Sequence, residues 1–137
     1  MGIIIFSNCS EIGKNNSSNT ISVAEADPMK DKGIGPVTSV TLAALDSAMA
    51  EQGKTIYNSK CTACHHPTEK LIGPPQKGIF EKRTPEWIMN MMLNPQEMLD
   101  KNPIAQKLLK EYSNIPMTSQ GLSEEDARKI LEYLRTL

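Results

Sequence analysis

Cys61-Thr62-Ala63-Cys64-His65 is the stretch on which the reading of this chain turns. Two thiols three positions apart, followed at once by an imidazole, have the spacing of c-type haem attachment. Each thiol can add to one of the two vinyl groups on a porphyrin edge, and the next residue is then carried under the ring with its imidazole aimed at iron. Two other chemistries use part of this pattern. A redox dithiol sits on a βαβ frame, and no alternating strand pattern is visible here. Zinc would have to take Cys61, Cys64, His65 and His66, whereas structural zinc sites usually draw ligands from two separated segments. Four ligands within six residues would strain a tetrahedron, and no second Cys/His cluster exists. Haem is therefore the favoured reading. His66 adjoins the proximal ligand and cannot reach the opposite face of a ring, so it reads as an exposed imidazole.

The composition around the motif agrees. The chain has 137 residues, enough for one domain, with one Trp, three Tyr and two Phe. So few aromatics leave a deficit of apolar bulk that a covalently held porphyrin would fill. Eight Met suit packing against an irregular flat surface. A net charge of −1 gives no electrostatic case for nucleic acid. No run of 18 apolar residues is present, so no transmembrane helix is expected. Three Cys, two of them in one short motif, do not make a disulfide framework.

Outward from the motif the chain reads as helices separated by Pro and Gly, and the fold class is all-α. Asp46 can cap a helix running to about Ser59. An irregular loop follows from Pro67 to Gly78. Thr84-Pro85 is a helix start, with Thr as N-cap and Pro at the first helical position. The helix it opens carries Trp87, Ile88, Met91 and Met92. Asn94-Pro95 and Asn102-Pro103 repeat the device. Ile104, Ala105, Leu108, Leu109 and Tyr112 then form one apolar stripe. Ser123 caps a last helix whose Glu124, Glu125 and Asp126 favour the positive end of the helix dipole. Its buried face is Ala127, Ile130, Leu131, Leu134 and Leu137.

Three segments are expected. Residues 1–9 read as the remnant of a signal or lipoprotein segment: Ile3 to Phe6 is a short apolar run, and Cys9-Ser10-Glu11 resembles an acylation site, although Asn8 stands where such sites have a small residue. A free Cys in a loose end is the alternative. Residues 10–44 read as a flexible linker rich in Asn, Ser, Lys and Asp, ending in an extended lead-in at Gly33 to Val40. The domain proper is 45–137.

Over that domain the chain resembles the class I, mitochondrial-type cytochromes c of bacteria. The resemblance rests on Gly53-x-x-x-Tyr57-x-x-x-Cys61, on Leu131-x-Tyr133-Leu134, on Ile72-Gly73-Pro74 after the haem motif, and on Arg-Thr-Pro-Glu-Trp-Ile and a Pro-Met loop. It implies helices wrapped around one covalently attached haem c, with the first helix crossing the last through Gly53 and Tyr57. It implies that the carbonyl of Pro74 accepts a hydrogen bond from His65 and fixes its tautomer, with Pro75 beside it as a rival. It further implies that iron is held by His65 and by a Met in the loop before the last helix. Met117 occupies that place in Asn114-Ile115-Pro116-Met117-Thr118. Met98 is the reserve, and Met89, Met91 and Met92 lie within a helix as packing residues. Arg83 and Trp87 fall where relatives contact a haem propionate, and core packing is the alternative for Trp87.

The function implied is single-electron transfer in a bacterial respiratory chain, not enzymatic turnover. Its partners would be redox proteins such as a quinol-oxidising complex and a terminal oxidase or reductase. The location would be periplasmic, with Cys9 as a lipid anchor on the membrane. The alternatives are a haem enzyme or gas sensor with a labile sixth ligand, and a haem domain of a larger respiratory complex.

Overall fold

The structure is a computed structural model that describes Gly2 and residues 26–137. The apolar run at Ile3 to Phe6 and Cys9 lie outside the described residues. Five α-helices follow one another: α1 (Ser47–Lys60), α2 (Pro85–Leu93), α3 (Pro95–Lys101), α4 (Pro103–Glu111) and α5 (Glu124–Leu134). Among the described residues there is no strand. The all-α class is as expected.

The helix starts are written in side-chain oxygens. Asp46 accepts from Met49 N at 2.9 Å, Thr84 from Trp87 N at 3.1 Å and Asn102 from Ala105 N at 3.0 Å. Ser123 and Asp126 form a reciprocal capping box. Three starts carry Pro in the first turn, where its missing N–H costs nothing. Asn94 differs: its side chain caps nothing and instead donates to Ile34 O and Glu97. The long stretch from Pro95 to Tyr112 thereby divides into two helices at Asn102.

α1 and α5 make the principal helix pair. Gly53 lies against the backbone of Lys129 and Ile130, and a Cβ there would stand 2.9 Å from Ile130 N. No side chain fits without parting the helices. One turn on, the Tyr57 and Tyr133 rings meet at 5.2 Å, inclined by 58°. Leu131 and Ile130, both nearly inaccessible, fill the seam.

A charged residue is buried in the same seam. Glu132 has no exposed surface. It accepts from Asp46 N at 2.8 Å, Arg128 at 2.6 Å and Arg135 at 2.7 Å, tying the start of α1 to α5. Burial pushes its carboxyl up, but the bonds from Asp46, Arg128 and Arg135 outweigh that and hold it below the ordinary carboxylate range. A depressed carboxyl contributes stability above its unfolded pKa, about 4.3 for Glu, and loses it as pH falls through the folded value. Glu132→Ala is expected to cost about 3–5 kcal/mol at neutral pH, because two guanidinium groups lose their partner. Urea titrations of both proteins check this, and the gap between them is expected to narrow as pH drops below about 4.

The segment ahead of α1 is bound along the helices. Asn90, 1% exposed, donates to Lys32 O and Val37 O and accepts from Val37 N. Met98 Sδ accepts from Ile34 N at 3.0 Å. Thr84 Oγ1 donates to Asp31 O, Asn102 to the Asp31 carboxylate, and Glu86 accepts from Val40 N. Arg135 reaches Ala43 O at 2.8 Å. Val37 joins the core. Residues 31–43 thus form an irregular strap across α2 and the start of α4, in contact with the helical unit whose sequence pattern begins at 45.

Candidate haem-attachment site

The motif begins where α1 ends. Cys61 is the C-cap, its N–H still bonded to Tyr57 O, and its own carbonyl accepts from Cys64 N at 3.1 Å and His65 N at 2.8 Å. That tight turn brings both thiols and the imidazole to one end of the helix. Both cysteines are free thiols, Cys61 half-buried and Cys64 exposed. Burial, and then the neighbouring Cys64, push the Cys61 thiol up to about 11.

His65 is fixed by a returning loop. Its Nδ1 lies 2.9 Å from Pro74 O. A carbonyl can only accept, so Nδ1 carries the ring hydrogen and Nε2 keeps the lone pair. Among the described residues nothing bonds Nε2, which leaves it available to a metal. Gly73 N donates to Cys64 O at 2.7 Å, holding the loop against the motif. A Cβ on Gly73 would stand 2.7 Å from His65 Nδ1, so only glycine lets the loop pass this close to the ring.

His66 turns away. Its Nδ1 accepts from Thr68 N and Glu69 N, both at 3.2 Å. Among the described residues no three His, Cys, Asp or Glu side chains gather as a metal cage would require. The donor set present, two free thiols, one oriented imidazole and a pool of thioethers, suits iron in a porphyrin.

The other expected residues fall in different places. Met117 is half-buried at the edge of the core, in the non-helical stretch between α4 and α5. That stretch is turned out of α4 by Ser113 and Asn114 in the left-handed region, φ 59° and 56°. Met98 is wholly buried with its sulfur engaged by Ile34 N–H. Trp87 is buried and its indole N–H donates to Asn102 Oδ1 at 3.2 Å. The Arg83 guanidinium stacks over the Trp87 ring at 5.1 Å, and burial lowers its pKa from the usual arginine value. Arg83 also walls an open cavity of about 640 Å³ with Ile104, Lys107, Leu108 and Glu111.

Two residues were not anticipated. Gln76, 7% exposed, places its amide beside both His65 Nδ1 and Pro74 O. A glutamine in a Pro- and Gly-rich loop carries no periodic signal. Among the described residues the buried hydroxyl of Tyr57 has no hydrogen-bond partner, and burial, with Cys61 and Tyr133 nearby, raises its pKa to about 12. Spacing had marked Tyr57 as a packing ring, with nothing to single out its oxygen.

Residues 50–137 match the family model for cytochrome c. Among solved structures, cytochrome c from Rhodothermus marinus is 47% identical, with a TM-score of 0.72 over 74% of this chain and 88% of that one. An engineered R. marinus cytochrome c bound to a carbene intermediate is 46% identical, with a TM-score of 0.69 over 74% and 88%. The cytochrome c domain of the pp3183 protein from Pseudomonas putida is 26% identical, with a TM-score of 0.57 over 61% and 85%. No curated protein sequence is similar enough to count as a relative. The family match spans well over half of the chain and its edge falls inside α1, so the Cys61–His65 turn, its loop and the helix crossing all belong to it: this chain is a class I, monohaem member of the cytochrome c family, with one covalently attached haem c.

Proposed function

We propose that this cytochrome is a single-electron carrier of a bacterial respiratory chain, its haem iron ligated by His65 and Met117. The observation that carries the reading is His65 locked by Pro74 in the tautomer that offers Nε2, beside two free thiols. Haem supplies reversible one-electron chemistry when bound. The chain's part would be to hold the imidazole and to fill the second ligand position, so that water and substrates stay off the metal. Met117 is the sulfur proposed for that position: it stands in a loop, whereas Met98 already accepts a backbone hydrogen bond. A thioether in place of a second imidazole raises the potential. Arg83, beside the apolar wall of Ile104 and Leu108, is proposed to meet a haem propionate. Trp87 stacks beneath it with its N–H spent on Asn102.

The proposed partners are redox proteins, a quinol-oxidising complex upstream and a terminal oxidase or reductase downstream. The proposed compartment is the periplasm, with Cys9 as a lipid anchor; this rests on the sequence alone. Among the described residues no helix is long and apolar enough to cross a membrane.

A second reading, a haem enzyme or sensor with a labile sixth ligand, is favoured by one observation: the engineered R. marinus relative is found bound to a carbene. One experiment separates the two. The carrier is expected to show a sulfur-to-iron absorption band when oxidised, to titrate as one reversible one-electron couple, and to leave millimolar cyanide unbound over minutes. Rapid cyanide binding with loss of the band would move the enzyme or sensor reading ahead.

A further inference from the structure

Gln76 Nε2 lies 2.8 Å from His65 Nδ1 and 2.9 Å from Pro74 O, and Nδ1 is itself 2.9 Å from that carbonyl. Three polar atoms form a nearly equilateral triangle. The glutamine is well held there: its backbone N–H donates to Pro67 O at 3.2 Å, and the next residue, Lys77, donates to the same oxygen at 2.8 Å.

An imidazole that gives Nε2 to a metal carries its hydrogen on Nδ1, which then has no lone pair to accept with. An amide NH2 set 2.8 Å from it leaves two donors face to face. The two ends of a carboxamide exchange by a half-turn of its last torsion, and hydrogen bonding decides which end points where. Among the described residues the other end of the Gln76 amide has no protein partner; the turn gives up its bond to Pro74 and sets two oxygens 2.9 Å apart, a contact that the Nδ1–H shared between them offsets. With oxygen at that corner, the Nδ1–H points between two acceptors. A stronger acceptor on Nδ1–H makes the ring more basic, and a more basic ligand favours ferric iron.

We propose that Gln76 is a positioning residue for His65, its amide oxygen serving as a second acceptor for Nδ1–H beside Pro74 and thereby lowering the reduction potential. The proposal rests on the His65 ligation above.

The test uses the holoprotein and its Gln76→Met variant, which keeps chain length and removes both polar atoms. At a fixed ambient potential the ratio of reduced to oxidised protein is expected to rise about tenfold, which is about 59 mV for one electron. The Nδ1–H proton resonance of the ferrous protein is expected to move upfield, and Gln76→Glu, which keeps an acceptor, is expected to return it downfield. A fall in the ratio overturns the proposal, because the amide then donates to Pro74 and competes with His65. An unmoved ratio and resonance overturn it as well. In the ferric protein a hyperfine-shifted Nδ1–H marks His65 as ligand: its absence defeats ligation and proposal together, whereas a shifted resonance indifferent to residue 76 defeats the proposal alone.

Discussion

Haem-specific staining after denaturing electrophoresis is expected to vanish in the double variant Cys61→Ala, Cys64→Ala. Denaturant strips away everything that holds a prosthetic group by shape or by a single metal bond, so His65 cannot retain it on the gel. Only thioethers can. The two cysteines are paired in no disulfide and come to one end of α1 through the turn built on the Cys61 carbonyl. Each single variant keeps one thiol and is expected to keep some stain. The remaining cysteine, Cys9, lies more than fifty positions upstream of the motif. Stain that survived loss of both motif thiols would overturn attachment through this pair.

The second large effect is expected at Met117. Replacing it with Ala removes the only thioether placed in the loop before α5. The oxidised protein should lose its sulfur-to-iron band, bind cyanide quickly, and become oxidised more easily. The shift is on the order of a hundredfold in the equilibrium ratio, roughly 120 mV, because a thioether favours ferrous iron. The fold should survive, since Met117 is only half-buried at the rim of the core. Met98→Ala makes the opposite pair of changes. It should keep the band and lose about 2–5 kcal/mol of stability, because a fully buried side chain and the acceptor for Ile34 N–H both go. Spectra and urea titrations of the two variants together distinguish ligand from packing residue. If Met98→Ala lost the band and Met117→Ala kept it, the proposed ligand would be wrong while the carrier reading stood.

Much of the scaffold was legible because its signals are local. Thr84-Pro85, Asn102-Pro103 and Ser123 with Asp126 announce helix starts through the first-turn N–H groups, and these need no knowledge of the rest of the chain. The crossing of α1 on α5 at Gly53 was legible only through the family resemblance, and its physical reason is the missing side chain where the two backbones meet. What escaped was carried by polar residues doing long-range work. Asn90 sits among apolar neighbours in α2 and Glu132 lies between Leu131 and Tyr133, and pattern alone assigns a polar residue to the surface. Their partners, Val37 and Asp46, are 53 and 86 positions away. The strap over α2 therefore reads as linker and extended lead-in, because most of the side chains that hold it, Thr84, Glu86, Asn90, Met98 and Asn102, lie outside it. Gln76 escaped for the same reason, since its importance lies in where a loop without periodicity returns. The haem motif itself was readable because covalent chemistry fixes both residue types and spacing.

The helix crossing also bears on the order of assembly. Tyr57 and Gly53 cannot be covered until α5 exists, and its eleven residues begin more than sixty positions after α1 ends. A polypeptide emerging from its N-terminus therefore leaves this seam open until α5 has been made, with a long loop still to close. Cys61, beside Tyr57 and half-buried in the folded chain, is expected to be more open to whatever joins haem to it until α5 docks.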